Sequence, residues 1–230
     1  SGATLTILGN QMLSVKKNWI RNSTAVLGSG RVIFDGSSPQ TITGATSWPN
    51  LRISNAAGVS VVSGQQTVNR ALELNTGTFT TNNNLVIASN NTVSGFIDNF
   101  TSGFTGQLGA GEHISYTRLF AGGKGYRFVS SPIESGLNVS HFGSFVTGND
   151  NFRYLPNNTP PTNFPTCWIF DESWPHNDNN QKGWYSQTTS GHAIVTARGY
   201  ALLMPANNTV TLTGAPAMTN KTIAVSNNYS

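Results

Sequence analysis

Three short runs decide the architecture: Arg31-Val32-Ile33-Phe34, Leu51-Arg52-Ile53-Ser54 and Leu72-Glu73-Leu74-Asn75. They recur at intervals of about twenty residues, a period at which stacked coils are expected. Leu85-Val86-Ile87 is a fourth run of similar shape. Between them lie Thr41-Ile42-Thr43 and Val59-Ser60-Val61-Val62, set off by turns such as Ser54-Asn55-Ala56-Ala57-Gly58 and Asn82-Asn83-Asn84. Short apolar runs punctuated in this way signal strands, and helical periodicity is almost absent. A single coil of such strands cannot bury its inward face. Stacking coil on coil closes a continuous core and pairs each strand with its equivalents above and below. Asn suits the turns because it tolerates left-handed backbone and bonds its own chain. The pattern predicts a parallel β-helix, or solenoid, over residues 1–100, with Ile33, Ile53 and Leu74 pointing into a shared interior. A sandwich of short strands at similar spacing is the alternative.

From about Tyr116 the texture changes. Aromatics become denser, prolines gather at Pro156, Pro160, Pro161 and Pro165, and the repeat disappears. Strands are predicted over residues 115–120, 126–130, 167–170, 183–185, 193–196, 200–204 and 209–212. The reading is an all-β chain: the solenoid, a junction over Gly95 to Gly111, and a compact β-sandwich-like domain within residues 101–230.

Composition narrows the function. Of 230 residues, 10% are charged, against roughly 25% in an average soluble domain. Asn, Thr, Ser and Gly stand in their place. Apolar residues still make up 37% of the chain, enough for a real core. The net charge of +4 reflects few acids, and the bases are not clustered as phosphate binding requires. No nucleic-acid partner is expected. No apolar run is long enough to span a bilayer as a helix, so no membrane insertion is expected either. The single cysteine, Cys167, lies in an apolar strand and reads as a buried small hydrophobe.

Two stretches resemble a known family. Gly30 to Gly44, followed by Leu51 to Ser60, is similar to the β-strand repeats of very large cell-surface proteins of the Bacteroidota. The run Gly122-Gly123-Lys124-Gly125-Tyr126-Arg127-Phe128-Val129-Ser130-Ser131-Pro132 is similar to the segment that follows such repeats in proteins exported by type IX secretion. Trp168 to Glu172, Gly183 to Tyr185 and Arg198 to Leu203 carry that second likeness onward. The resemblance implies a secreted, adhesin-like protein at the bacterial cell surface and transfers no catalytic residue. Members of that family run on into further β modules, so the chain reads as a fragment, a processed product or one subunit.

Catalysis needs acids, bases or metal ligands converging in a cleft. Asp171 and Glu172 are neighbours and face opposite sides of a strand. A glycosidase pair with Asp150 or Asp178 would need a tertiary coincidence, so a polysaccharide hydrolase is the weakest reading. Asp171 to Asn180 offers oxygens suited to calcium but lacks the spacing of a calcium loop. His113, His141, His176 and His192 show no zinc spacing. The expectation is therefore a non-enzyme with no catalytic residue, cofactor or metal. The aromatic set Trp168, Trp174, Trp184, Tyr185 and Tyr200 either fills a core or stacks on sugars. Trp174, Trp184 and Tyr185 are the candidate glycan-binding residues, while Trp168 and Phe170 share a strand face read as inward.

Both chain ends also read as strands. Thr4, Leu5, Thr6, Ile7 and Leu8 at one end, and Thr222, Ile223, Ala224 and Val225 at the other, are candidate assembly strands. An open strand edge is a template for another strand, and head-to-tail contacts that do not close generate filaments. Self-association, neighbouring domains of a longer chain and surface glycans are the expected partners.

Overall fold

The computed structural model describes residues 5–7, 9, 11–22, 25–99, 101–147, 164–170, 183–186 and 192–219. The Cα packing divides the chain into Ser1–Arg118 and Leu119–Ser230.

The first unit is a β-solenoid of about four turns. One face stacks β2 (Met12–Val15), β5 (Arg31–Phe34), β7 (Thr46–Ser54), β9 (Gln66–Thr76), β11 (Leu85–Ser89) and β14 (Ile114–Phe120), with β12 (Phe96–Asp98) also on β9. A second face stacks β3 (Trp19–Ile20), β6 (Gln40–Thr43), β8 (Val59–Ser63), β10 (Thr78–Thr80) and β13 (Gln107–Leu108). β1 (Leu5–Thr6) pairs with β4 (Ala25–Val26). All of these pairings are parallel, as coil-on-coil stacking demands. The long strand β9 turns a corner along its length. Its first part pairs with β11 and its later part with β12. In β7 the corner is a register shift between Trp48 and Asn50. Pro49 lies there, at a bulge where its missing N–H costs no ladder bond.

Register sets which side chains go inside. Leu13, Val32, Leu51, Leu72 and Ile97 form one column, and Val15, Phe34, Ile53 and Leu74 form the next. Val32, Phe34, Leu51, Ile53, Leu72 and Leu74 are fully buried. Ile53 and Leu74 point inward as expected, but Ile33 does not. It aligns with Ser14, Arg52 and Glu73 on the outward face, and Phe34 takes the interior position. The run Val32-Ile33-Phe34 is apolar at every position, so its parity comes from its neighbours. Arg52 and Glu73 must face out, and Ile33 is stacked on them. Glu73 then binds two rungs at once, with Oε1 2.6 Å from Nη2 of Arg31 and Oε2 2.5 Å from Nε of Arg52.

Buried amides close the corners. The Gln40 side chain donates to the carbonyls of Val15 and Lys17 in the preceding coil and accepts from the Gly36 N–H. Asn55 donates to the Ser38 carbonyl and to Gln40 Oε1. Gln66 donates to the carbonyls of Gly44 and Gly64 and accepts from Trp48 Nε1 at 3.0 Å. Backbone groups that a tight corner would orphan are thereby satisfied. Gly77 marks the tightest approach: its φ is +83°, and an added Cβ would lie 1.8 Å from the Asn55 carbonyl oxygen.

Glu112 closes another corner. Asn82 and Asn83 have φ of 50° and 60°, a left-handed turn of the kind Asn tolerates. The turn points the N–H groups of Thr81, Asn82 and Asn83 at the Glu112 carboxylate, at 2.8, 2.9 and 2.9 Å. The Thr81 hydroxyl donates to it as well. Burial by itself pushes the Glu112 carboxyl up, but the Thr81 hydroxyl and these backbone donors hold it below its ordinary 4.5.

The stretch read as a junction, Gly95 to Gly111, supplies β12 and β13, which continue the parallel stack. β14 extends it further. The boundary expected near residue 100 thus lies inside stacked structure, and the packing division falls after Arg118. The loops between these strands lengthen and the spacing drifts, so the recurrence of short runs fades before the stack ends, near the change of texture read at Tyr116.

The second unit holds β15 (Gly125–Val129), β16 (Cys167–Phe170), β17 (Trp184–Ser186), β18 (Tyr200–Met204) and β19 (Asn208–Gly214), with a short 3-10 helix at Val139–Phe142. The first four form an antiparallel sheet in the order β15-β18-β16-β17. Residues 193–196, expected as a strand, make only isolated bridges, Asn138 with Ala193 and Ser131 with Thr196.

Candidate functional site: an aromatic sheet face

The two faces of the antiparallel sheet differ sharply. One carries Cys167, Ile169, Tyr200, Leu202 and Met204, all buried. The Tyr200 ring lies 5.4 Å from Phe142, and its hydroxyl accepts from the Val195 N–H at 2.8 Å. Burial pushes the Cys167 thiol up to about 12, so it is a neutral, enclosed thiol. A thiol-reactive maleimide is expected to label native protein far more slowly than denatured protein. A native labelling rate matching that of free cysteine would contradict this placement.

The other face is aromatic. Phe128 lies opposite Ala201, Ala201 opposite Trp168, and Trp168 opposite Ser186. One row to one side Phe170 lies opposite Trp184, and one row to the other side Tyr126 lies opposite Leu203. Three strand spacings, about 14 Å of sheet, separate β15 from β17. Yet the rings of Phe128 and Trp184 are 6.3 Å apart. They lean toward each other over Ala201, whose methyl leaves the space. Phe170 meets Trp184 edge-on at 5.2 Å. Trp168 is buried beside them, its indole N–H donating to the Pro165 carbonyl at 3.2 Å and its ring 5.5 Å from Phe164. Phe128 is 76% exposed, Tyr126 47% and Phe170 39%.

These positions revise the sequence reading. Trp184 and Tyr185 are not partners. Tyr185 lies opposite Ile169 on the buried side of the sheet, because neighbours on a strand face opposite ways. Trp168 and Phe170 do share a face, but it is the aromatic one and Phe170 is exposed. Trp174 lies outside the described residues, as do Asp150, Asp171, Glu172, His176, Asp178 and the rest of the candidate calcium stretch. Tyr126 and Phe128 were not among the expected glycan-binding residues. The signal available was the alternation Tyr126-Arg127-Phe128, which sets two rings on one side of a strand.

Other expected features are placed as follows. Leu5 and Thr6 pair with Ala25 and Val26 of their own unit, and Ile7 is buried. Thr4, Leu8, Thr222, Ile223, Ala224 and Val225 lie outside the described residues. The His141 ring accepts from the Asn138 N–H at 3.1 Å and helps cap the short helix. His113 donates its backbone N–H to Asn83 Oδ1. Among the described residues no three His, Cys, Asp or Glu side chains are grouped to hold a metal. No helix among them is long and apolar enough to cross a membrane. The chain matches no family model, no curated protein and no solved structure.

Proposed function

We propose that this chain is a non-catalytic structural and adhesive module of a bacterial surface protein, of the large β-strand-repeat kind exported by type IX secretion that its repeats resemble. The carrying observation is the in-register parallel ladder of the first unit, filled inside by columns of apolar side chains and carrying rows of uncharged ones outside, beside the Arg31, Glu73 and Arg52 cluster. Thr41, Ser60 and Thr80 align on one outer face and Ser47, Thr67, Val86 and Ser115 on another. Backbone ladders give such a stack stiffness, and a surface of hydroxyls and amides keeps its properties across changes in salt. Both are properties of an extracellular scaffold. Head-to-tail association into filaments belongs to the same reading, since parallel strands stay open to further pairing at an uncovered edge.

Two measurements test the proposal. Antibody labelling and protease treatment of intact source cells should reach the chain from outside, whereas detection only after lysis would refute a surface location. The purified chain should show no turnover on a panel of polysaccharides, peptides and esters. Hydrolysis that disappears in Asp171→Asn or Glu172→Gln would refute the non-catalytic part.

A further inference from the structure

We propose that the aromatic face of the antiparallel sheet binds a neutral glycan, with Phe128, Phe170 and Trp184 stacking on the C–H faces of its sugar rings. The inference rests on the adhesive reading and gives it a partner.

Isolated exposed rings are ordinary on protein surfaces. Here three rings converge across the full width of a four-stranded sheet, and Tyr126 extends them along β15. The sheet fixes their positions, so little ordering is required when a ligand arrives. Among the described residues, the strongly exposed side chains of this face are all aromatic, whereas Ala201 beneath them is buried. The face of an aromatic ring carries negative quadrupole density, which attracts the electron-poor C–H bonds of a pyranose.

Charge and area select among occupants. The described residues on this face are Tyr126, Phe128, Trp168, Phe170, Trp184, Ser186, Ala201 and Leu203. None of these described residues is charged, so they suit a neutral polysaccharide and offer no ion pair to a sulfated or uronic one. A stable protein–protein interface buries about 800 Å² on each side. Three or four partly exposed rings, each worth roughly 150–250 Å² when fully covered, offer only a few hundred. That is too little for a second copy of the chain and suits a few sugar units.

The test is electrophoresis of the full chain in native gels containing xylan, hydroxyethyl cellulose or laminarin, with polygalacturonate as the acidic control. At least one neutral polymer should retard the protein, and polygalacturonate should not. Phe128→Ala should weaken the retardation about tenfold, the equivalent of ~1.4 kcal/mol, and Phe128→Tyr should preserve it. The melting temperature of Phe128→Ala should stay unchanged, because that ring is mostly in water. Trp184→Ala should also lose binding but can lose stability with it, so Phe128→Ala is the deciding variant. Absence of retardation by every neutral polymer overturns the inference. So does unchanged affinity in Phe128→Ala, stronger binding to polygalacturonate, or a dimer seen by light scattering that Phe128→Ala dissociates. If the chain is found outside intact cells but binds no glycan, the inference alone falls. If it is found only inside cells, the adhesive reading falls whatever the gels show.

Discussion

Replacing Glu112 with alanine is expected to destabilise the solenoid unit by about 3 kcal/mol or more, since hydrogen bonds to a charged group are worth about 1.5–3 kcal/mol each and their partners would be stranded. Three backbone N–H groups and one hydroxyl converge on this carboxylate, and only 7% of the residue is exposed. Water does not readily take its place. Glu112→Gln should recover only part of the loss, because its NH2 group would confront N–H donors. The effect also has a pH signature. The folded-state carboxyl sits below its ordinary 4.5, so the native state favours the charged form. The resulting stabilisation is fully present above pH 4.5 and is lost as pH falls through the folded value. Thermal melts of the parent and the glutamine variant should therefore differ most near neutrality and converge in acid. A difference of less than about 0.5 kcal/mol at pH 7, or one independent of pH, would mean that the turn holds itself.

The second expected result is a contrast between adjacent residues. Phe34→Ala should cost about 3–5 kcal/mol, the usual range for truncating a buried ring, and Ile33→Ala under about 1 kcal/mol. Phe34 is fully buried between Val15 and Ile53 and packs against Trp48 at 5.9 Å. Ile33 faces outward beside Ser14 and Arg52. Urea unfolding followed by tryptophan fluorescence would measure both variants, since Trp19 and Trp48 lie 5.2 Å apart in this unit. Equal losses, or a larger one at Ile33, would place the register one residue out. A one-residue slip turns every side chain of a strand to the other face, so this pair tests the whole column.

The same contrast divides what the sequence determined from what it left open. The twenty-residue recurrence of short apolar runs, with Gly and Asn at the corners, is a local property. It was sufficient for an all-β chain with a solenoid at its start. Cys167 in an apolar run was legible as a buried thiol for the same reason. The parity of Val32-Ile33-Phe34 was latent in the text, because aligning it with Leu51-Arg52-Ile53 and Leu72-Glu73-Leu74 puts Ile33 level with two charged residues. Read by itself, a wholly apolar run has no preferred face. Glu112 carries no local mark either. Its partners are about thirty residues away, and only stacking brings one coil's turn under the next coil's acid. The aromatic face is more dependent still on tertiary structure. Phe128, Phe170 and Trp184 come from three strands joined by long connections, and their rings meet because strand order and register leave Ala201 between them. Periodicity decides which elements form. Which side chains meet is decided by register between strands distant in the chain, and a single sequence does not print that register.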